Sequence, residues 1–347
     1  MFKKTILAAW ATLTLTTGAS AFVLTDFQTD FGTLMNSVAR DVAPTLRLGA
    51  LSGDLQGDAS IEHFDLTIFG LGFNMSDGLG KVLDPNISPS PWNFVVPMSS
   101  FVPSGFTAFE KLMLYPSVKF AFGMAVANGW DATLSGNFLP SQAGGLAAPF
   151  LSGKAAPELG YANLGLQVRK TLLVDTANGP ALSLGTSYHY SSFHLKTIVD
   201  DYIPAVSLGS SQTQTTTGSI ALDTGSQVFT VDLHVSKHLA FFTPYAKFSG
   251  AYQLSSVTGD ADLVADVLDT SGPPSHTYQP VKAHSEVKLS DFTFLTTTGF
   301  DLNLLLFHYN LNVVADVGRA FLRFHNLSLD GIEANAFSIN TGFHFAF

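Results

Sequence analysis

The 347-residue sequence contains no cysteine and few charged residues. Without cysteine the chain can form no disulfide framework and offers no thiolate for catalysis or metal binding. Charged residues make up 13% of the chain, about half of the roughly 25% that soluble domains carry. The net charge of −10 excludes nucleic acid as an expected partner, because binding phosphates requires an excess of Lys and Arg.

Residues 1–21 have the three parts of an export signal that is removed from the mature protein. Lys3 and Lys4 are basic, residues 6–15 are mostly apolar, and residues 19–21 read Ala-Ser-Ala, a typical cleavage site. The alternative is a transmembrane helix, but the apolar part is shorter than the roughly 20 residues that such a helix needs. We therefore expect an exported protein.

After residue 21 the sequence has no apolar stretch long enough to span a membrane as a helix. The chain is nevertheless 46% hydrophobic. Only helices and closed β-barrels satisfy all of their backbone hydrogen bonds inside lipid. The expected structure is therefore a transmembrane barrel or, alternatively, a soluble periplasmic β-fold.

The C-terminal segment favours the barrel, because its side chains alternate strictly in polarity. One face of the predicted strand is apolar almost throughout, and its residues are Phe337, Ile339, Thr341, Phe343, Phe345 and Phe347. The other face is small or polar, as expected when one side of a strand meets lipid and the other meets water. Similar alternation recurs around residues 161–169, 182–191, 229–236 and 305–316.

These patterns predict an all-β fold, a transmembrane antiparallel β-barrel of about 14 strands (12–14) over residues 45–347. Residues 301–303 and 223–225 are predicted to be tight turns, and residues 200–217 and 255–280 longer polar links on the outside. The expected location is the outer membrane of a Gram-negative-type bacterium, with outer-membrane lipid and the barrel-assembly machinery as partners. Phe343, Phe345 and Phe347 are the predicted assembly signal.

Residues 22–44 precede the barrel and contain a short amphipathic helix. Apolar residues recur at helical spacing, and they include Phe27, Phe31, Leu34 and Met35. A capping box at Thr25 marks the expected start, and Pro44 lies just past the expected end near residue 42. The helix is predicted to be either a hatch inside the barrel or a periplasmic element.

Residues 76–116 interrupt the strand pattern. Five prolines between residues 85 and 103 exclude a regular strand, and the segment is too apolar for an exposed loop. It either lines a site for a hydrophobic ligand or packs as its own small core. The candidate ligand-lining residues are Trp92, Phe94, Val96, Phe101, Phe106, Phe109 and Leu112.

The sequence contains no recognised catalytic motif, and no enzyme activity, cofactor or metal is predicted. His189 and His194 flank Ser191 and Ser192, but polar residues facing a wet lumen explain them better than a hydrolase site. Four aspartates between residues 260 and 269 lack the remaining elements of a calcium loop and favour a solvated acidic loop.

The order of a helix from Thr25, an apolar insertion at 76–116 and strands from Pro116 to Phe347 resembles the FadL-type long-chain fatty-acid transporters. The resemblance is one of layout and includes no specific motif, so no site residue is transferred. It implies uptake or passage of hydrophobic molecules such as long-chain fatty acids. The alternatives are a porin-like channel for small polar solutes and a non-transporting surface barrel that serves as an adhesin or a structural protein.

Overall fold

The computed structural model describes residues 20–51, 55–76, 115–139, 158–198, 206–207, 211–304, 307–317 and 336–346. These residues form one helix and eleven strands. The elements in chain order are α1 (Ser20–Leu51), β1 (Phe64–Ser76), β2 (Tyr115–Ala127), β3 (Trp130–Leu139), β4 (Glu158–Leu173), β5 (Ala181–Ile198), β6 (Val206–Ser207), β7 (Gln212–Ser236), β8 (Phe242–Asp269), β9 (Ser275–Leu304), β10 (Phe307–Asp316) and β11 (Ala336–Ala346).

Ten of the described strands close into an antiparallel ring. Consecutive strands pair from β1 to β5 and from β7 to β11, and the pairs β5–β7 and β1–β11 complete the circle. The short strand β6 pairs only with β7, beyond the last residue of β5. An antiparallel barrel is therefore confirmed.

The ring has fewer strands than the predicted 12 to 14, because its longest strands are much longer than a membrane crossing requires. Strands β7, β8 and β9 contain 25, 28 and 30 residues. A strand needs only about 9–11 residues to cross a bilayer. The sequence pattern predicts that the same number of residues is divided among more and shorter strands.

Short turns join neighbouring strands at one end of the ring, here called the turn end. Asn128 and Gly129 connect β2 to β3 with positive φ angles of 49° and 73°, the backbone that a two-residue hairpin of type I′ needs. Residues 174–180 connect β4 to β5, and residues 237–241 connect β7 to β8.

The predicted turns at 301–303 and 223–225 are wrong, because both segments continue as strand. Asp301 faces the lumen, where its carboxylate accepts hydrogen bonds from Asn310 Nδ2 and Gly57 N. Asp223 lies on the outer face and pairs with His194. Each aspartate thus has partners within the barrel, so it does not end its strand.

Near the turn end the wall is apolar outside and polar inside, and this part is called the belt. In β4, for example, Leu164 and Leu166 are exposed on the outer face, whereas Asn163, Gln167 and Arg169 are buried. The outward residues at the same level of neighbouring strands include Leu184, Tyr188, Phe229, Val231, Phe248, Tyr252, Phe292 and Phe294. This arrangement confirms the alternation that the sequence predicts.

Strands β5, β7, β8 and β9 continue past the belt, away from the turn end, and the polarity of their faces reverses there. This part, called the extension, comprises residues 194–198, 212–223, 256–269 and 275–290. Its inner face is apolar, with Leu222, Val257, Ala261, Leu263, Ala283 and Val287 buried.

The outer face of the extension bears cross-strand ion pairs. His284 pairs with Asp260 at 2.7 Å and Lys282 with Asp262 at 3.1 Å. A hydrogen bond from Lys288 lowers the pKa of Glu286. The prediction that residues 255–280 form a loop is therefore wrong, because most of them belong to a long hairpin, in which Asp260 and Asp262 face outward beside basic partners.

Helix α1 lies inside the ring and contacts strands on all sides of it. The part of α1 toward its N-terminus packs in the extension, where Phe31, Met35, Val38 and Val42 join the apolar inner face. Farther along the helix, Leu48 and Leu51 pack against Val228, Ala251, Leu295 and Val314 of the wall. In the described part of the chain, no 18-residue stretch of helix is apolar enough to cross a membrane.

The helix is longer than the sequence predicts. It begins before Thr25 and passes through Pro44 to end at Leu51. A proline inside a helix removes one hydrogen bond and usually kinks or breaks it. All residues from 42 to 51 are buried in the lumen, so packing against the wall outweighs the local preference to stop.

Candidate functional site

The lumen at the level of the belt holds α1 through one fully buried arginine. Arg47 is 1% exposed, and its guanidinium lies 2.7 Å from Asp291 and 2.6 Å from Asp316. It also donates a hydrogen bond to Gln253 Oε1 at 3.1 Å. Charge-assisted hydrogen bonds of this kind are the strongest in proteins. Arg47 therefore anchors the helix to β8, β9 and β10.

The polar wall also binds the backbone of the helix. Gln253 Nε2 donates to Ala43 O at 2.8 Å, and Asn137 Nδ2 donates to Gly49 O at 2.6 Å. These bonds come from opposite sides of the lumen, since Gln253 lies in β8 and Asn137 in β3. The helix is therefore fixed across the width of the barrel.

The segment between α1 and β1, here called the connector (residues 55–63), fills the lumen toward the turn end. Its backbone amides donate to wall side chains, from Gly57 to Asp301 and from Ala59 to Ser236. The connector side chain Gln56 accepts a hydrogen bond from Arg169, which also pairs with Asp131 at 2.8 Å. In the described structure, α1 and the connector together plug the barrel.

Three side chains of the types that commonly bind metals lie close together beside the connector. One ligand atom each of Asp301, His308 and His344 lies within 4.8 Å of the other two. These residues belong to three neighbouring strands, β9, β10 and β11.

A pocket of about 590 Å³ opens in the wall where the belt meets the extension. Strands β3, β4, β5, β7 and β8 form it. Its apolar and aromatic lining consists of Leu139, Tyr161, Ala162, Tyr190 and Phe193. Polar groups at its rim are Ser192, His194, Asp223, Thr224, Ser256 and Thr258. Apolar, aromatic and polar side chains thus line the same pocket, whose volume is typical of small-molecule sites.

The wall pocket is connected to the packing of the plug. Tyr161, Phe193 and Leu139 are buried, and they belong to the same apolar cluster as Phe31 and Met35 of α1. Tyr190 is 48% exposed on the outer face. The pocket thus reaches from the outer surface of the wall to the side chains that pack around α1.

The two histidines near Ser191 and Ser192 lie on opposite faces of β5. His189 faces the lumen, where its Nε2 lies 3.1 Å from Ser187 Oγ. His194 is on the other face and pairs with Asp223 at 2.7 Å. The wall of the barrel therefore separates the two histidines.

The predicted site residues fall into three groups. Phe31 and Met35 are buried in the lumen, whereas the side chains of Phe27 and Leu34 lie outside the described atoms. Phe343 is exposed and Phe345 half-buried on the outer face of β11, and Phe343 packs against Phe307. Phe347 and the seven candidate ligand-lining residues from Trp92 to Leu112 lie outside the described residues.

Comparison with protein-family models and with curated proteins found no match. Solved structures with a similar layout are bacterial barrels. The translocator domain of the autotransporter NalP from Neisseria meningitidis is 9% identical, with 87% of this chain and 94% of that chain covered and a TM-score of 0.36. A Pseudomonas aeruginosa FadL homologue is 7% identical, with 87% and 98% covered and a TM-score of 0.31.

The toluene transporter TbuX from Ralstonia pickettii is also similar, at 9% identity with 83% and 90% covered and a TM-score of 0.23. Members of the FadL family, which the sequence resembles in layout, are thus among the similar structures. At these identities and TM-scores the similarities carry no argument about the fold of this chain or the molecules that it binds.

Proposed function

We propose that this chain is an outer-membrane β-barrel of a Gram-negative-type bacterium that takes up or passes hydrophobic molecules such as long-chain fatty acids. The belt supports the membrane location, because exposed Leu, Val, Phe and Tyr side chains surround a polar interior. Such an apolar surface is unfavourable in water. The outward face of a membrane barrel, in contrast, is apolar with aromatic residues at its edges.

The orientation follows from the two ends of the ring. In barrels of this class, short turns face the periplasm and longer segments face the outside. The turn end of this chain would therefore face the periplasm. The extension, whose outer face is charged, would stand in the aqueous space outside the cell.

The wall pocket is the observation that best supports a hydrophobic ligand. Its volume of about 590 Å³ lies within the roughly 300–1,000 Å³ of small-molecule sites. It lies at the outer edge of the belt, where an apolar molecule could enter from lipid past Tyr190. Beyond it lies the packed apolar cluster around α1, so the surroundings remain apolar farther inward.

The plug favours selective passage over an open pore. In the described chain α1 and the connector are bound to the wall by Arg47, Gly57 and Ala59. Small polar solutes would need a continuous water-filled lumen. A general porin is therefore the weaker proposal.

A non-transporting surface barrel is the second candidate. The extension favours it, since a long hairpin with its own apolar core and a charged outer face could present a binding surface to another molecule. Binding of a hydrophobic ligand in the wall pocket distinguishes the two candidates, because a surface barrel has no need of it.

The test is to fill the pocket from outside. Ala162 lies on the outer face of β4 and lines the pocket. We expect Ala162→Trp to weaken binding of a fluorescent long-chain fatty acid to the purified barrel about tenfold or more, since a tenfold change corresponds to only ~1.4 kcal/mol. Leu164→Trp is the matched control, because Leu164 is the next outward residue of β4 and is not part of the lining.

Equal binding by both variants and the native chain would reject the wall pocket as the ligand site. Deletion of residues 89–103 tests the apolar insertion in the same assay. If fatty-acid binding were unchanged by both the deletion and Ala162→Trp, the transport proposal itself would fail.

A further inference from the structure

Two histidines and an aspartate meet in the lumen close to the turn end. In the register of the sheet, His308 of β10 lies directly opposite His344 of β11. Asp301 of β9 is one strand farther along, and its carboxylate Oδ1 lies 3.4 Å from His344 Nε2. Asp301 is fully buried and His344 is 2% exposed, so these ligand atoms are shielded from bulk solvent.

Each histidine keeps one ring nitrogen without a hydrogen bond within the described residues, although His344 Nε2 lies within ion-pair distance of Asp301 Oδ1. Both His308 Nδ1 and His344 Nε2 are buried and make no hydrogen bond. Buried polar atoms are nearly always satisfied by protein, water or an ion. One ring nitrogen of each histidine and one carboxylate oxygen of Asp301 lie within 4.8 Å of one another.

Surrounding groups orient these atoms as they do around bound metals. His344 Nδ1 donates to Asp65 Oδ2 at 2.5 Å, which leaves the lone pair of Nε2 directed toward Asp301. A metal-bound histidine almost always donates its other ring N–H to a carboxylate or carbonyl. Asp301 is fixed in the same way, by Asn310 Nδ2 at 2.6 Å and Gly57 N at 2.8 Å.

We propose that Asp301, His308 and His344 bind one divalent transition-metal ion, with Zn²⁺ as the best fit. Two imidazole nitrogens and one carboxylate oxygen are a common zinc donor set, and water can complete the tetrahedron. The set does not suit Ca²⁺, which takes six to eight oxygen ligands. Because Asp301 also holds Gly57, the ion links β9, β10 and β11 to the connector of the plug.

The experiment uses the full barrel without a histidine tag, titrated with ZnCl₂ in a calorimeter, with bound zinc counted by mass spectrometry. We expect one tightly bound Zn²⁺ per chain. Asp65→Asn should weaken binding by about 10–100-fold, the usual cost of removing a partner of a ligating histidine. His308→Ala removes a ligand and should weaken it more.

His194→Ala is the matched control, since His194 also pairs with an aspartate but lies on the outer face. Its affinity for Zn²⁺ should equal that of the native chain. Folding of each variant is checked by the heat-dependent shift of its electrophoretic mobility, which reports the closed barrel.

A second measurement does not depend on any variant. Co²⁺ bound to the native chain should give the intense visible absorption of tetrahedral coordination, and added Zn²⁺ should abolish it. The absence of stoichiometric zinc, an octahedral cobalt spectrum, or equal zinc affinity in His308→Ala and His194→Ala would overturn the proposal. His344 would then be an ion-paired bridge between Asp65 and Asp301.

Discussion

The belt and the extension are built from the same strands, yet their two faces are opposite in polarity. In β8, Tyr252 and Leu254 are exposed outside while Gln253 is buried inside. A few residues later Asp260 and Asp262 are outside, whereas Ala261 is buried inside. The direction in which side chains point alternates without interruption along the strand, so only the chemistry of the two sides has changed.

The difference teaches that each face of the strand matches the medium it meets. The outer face of the belt suits lipid, and its inner face suits a hydrogen-bonded plug. The outer face of the extension suits water, and its inner face packs like the core of a soluble protein against α1. The proposed membrane boundary therefore lies where the pattern reverses, near residues 192, 224, 256 and 290.

The largest effect is expected from the arginine that binds α1 at the level of the belt. Arg47→Ala would leave Asp291 and Asp316 without their cation, and breaking a buried ion pair costs about 3–5 kcal/mol. We expect faster hydrogen exchange of the α1 amides and a conductance in planar bilayers that the native barrel lacks.

Arg40→Ala is the control for this experiment, because Arg40 belongs to the same helix but is exposed. It should leave exchange and conductance unchanged. If Arg47→Ala behaved like Arg40→Ala, the ion pairs of Arg47 would not hold the plug in place. The apolar contacts of α1 with the extension would then hold it.

The second-largest effect is expected from a charge placed on the outer face, because it should lower the stability of the belt far more than that of the extension. Leu166→Arg puts a cation on the outer face of the belt, where a bilayer makes it cost about 2–4 kcal/mol. Thr217→Arg adds the same charge to the exposed outer face of the extension and should change stability by less than about 0.5 kcal/mol. Denaturant unfolding in lipid vesicles measures both, and equal costs would remove the distinction between the regions.

Substitutions on the inner faces should have smaller effects. A polar side chain added inside should destabilise the extension, whereas a polar side chain removed inside should destabilise the belt. Val257→Thr buries a hydroxyl in the apolar core of the extension, at a cost of about 1–3 kcal/mol. Thr297→Val makes the reverse change in the polar lumen of the belt and should cost less. The same unfolding experiment decides, and a gain in stability for Thr297→Val or for Val257→Thr would contradict the assignment of the two interiors.

The belt could be predicted from the sequence because each of its strands carries the pattern locally. Asn340 faces inward and Phe343 outward, as period-two alternation requires. The turn at Asn128 and Gly129 has a strong signal, Asn-Gly between two alternating runs, which the sequence reading missed.

The extension could not be predicted in the same way. Its outward aspartates at 260 and 262 resemble a solvated loop until their partners on β9 are known. Likewise, the end of α1 depends on how the lumen packs around Pro44. His308 and His344 are 36 residues apart in the sequence, and only the register of β10 on β11 brings them together.

The most direct test of the account locates the membrane on the wall. The chain has no cysteine, so Leu166→Cys in the belt and Lys282→Cys in the extension each accept a single spin label. In vesicles we predict that the label at 166 collides with dissolved oxygen and is protected from a water-soluble nickel complex. The label at 282 should collide with the nickel complex and less often with oxygen. Exposure of both labels to the nickel complex would contradict a lipid-facing belt.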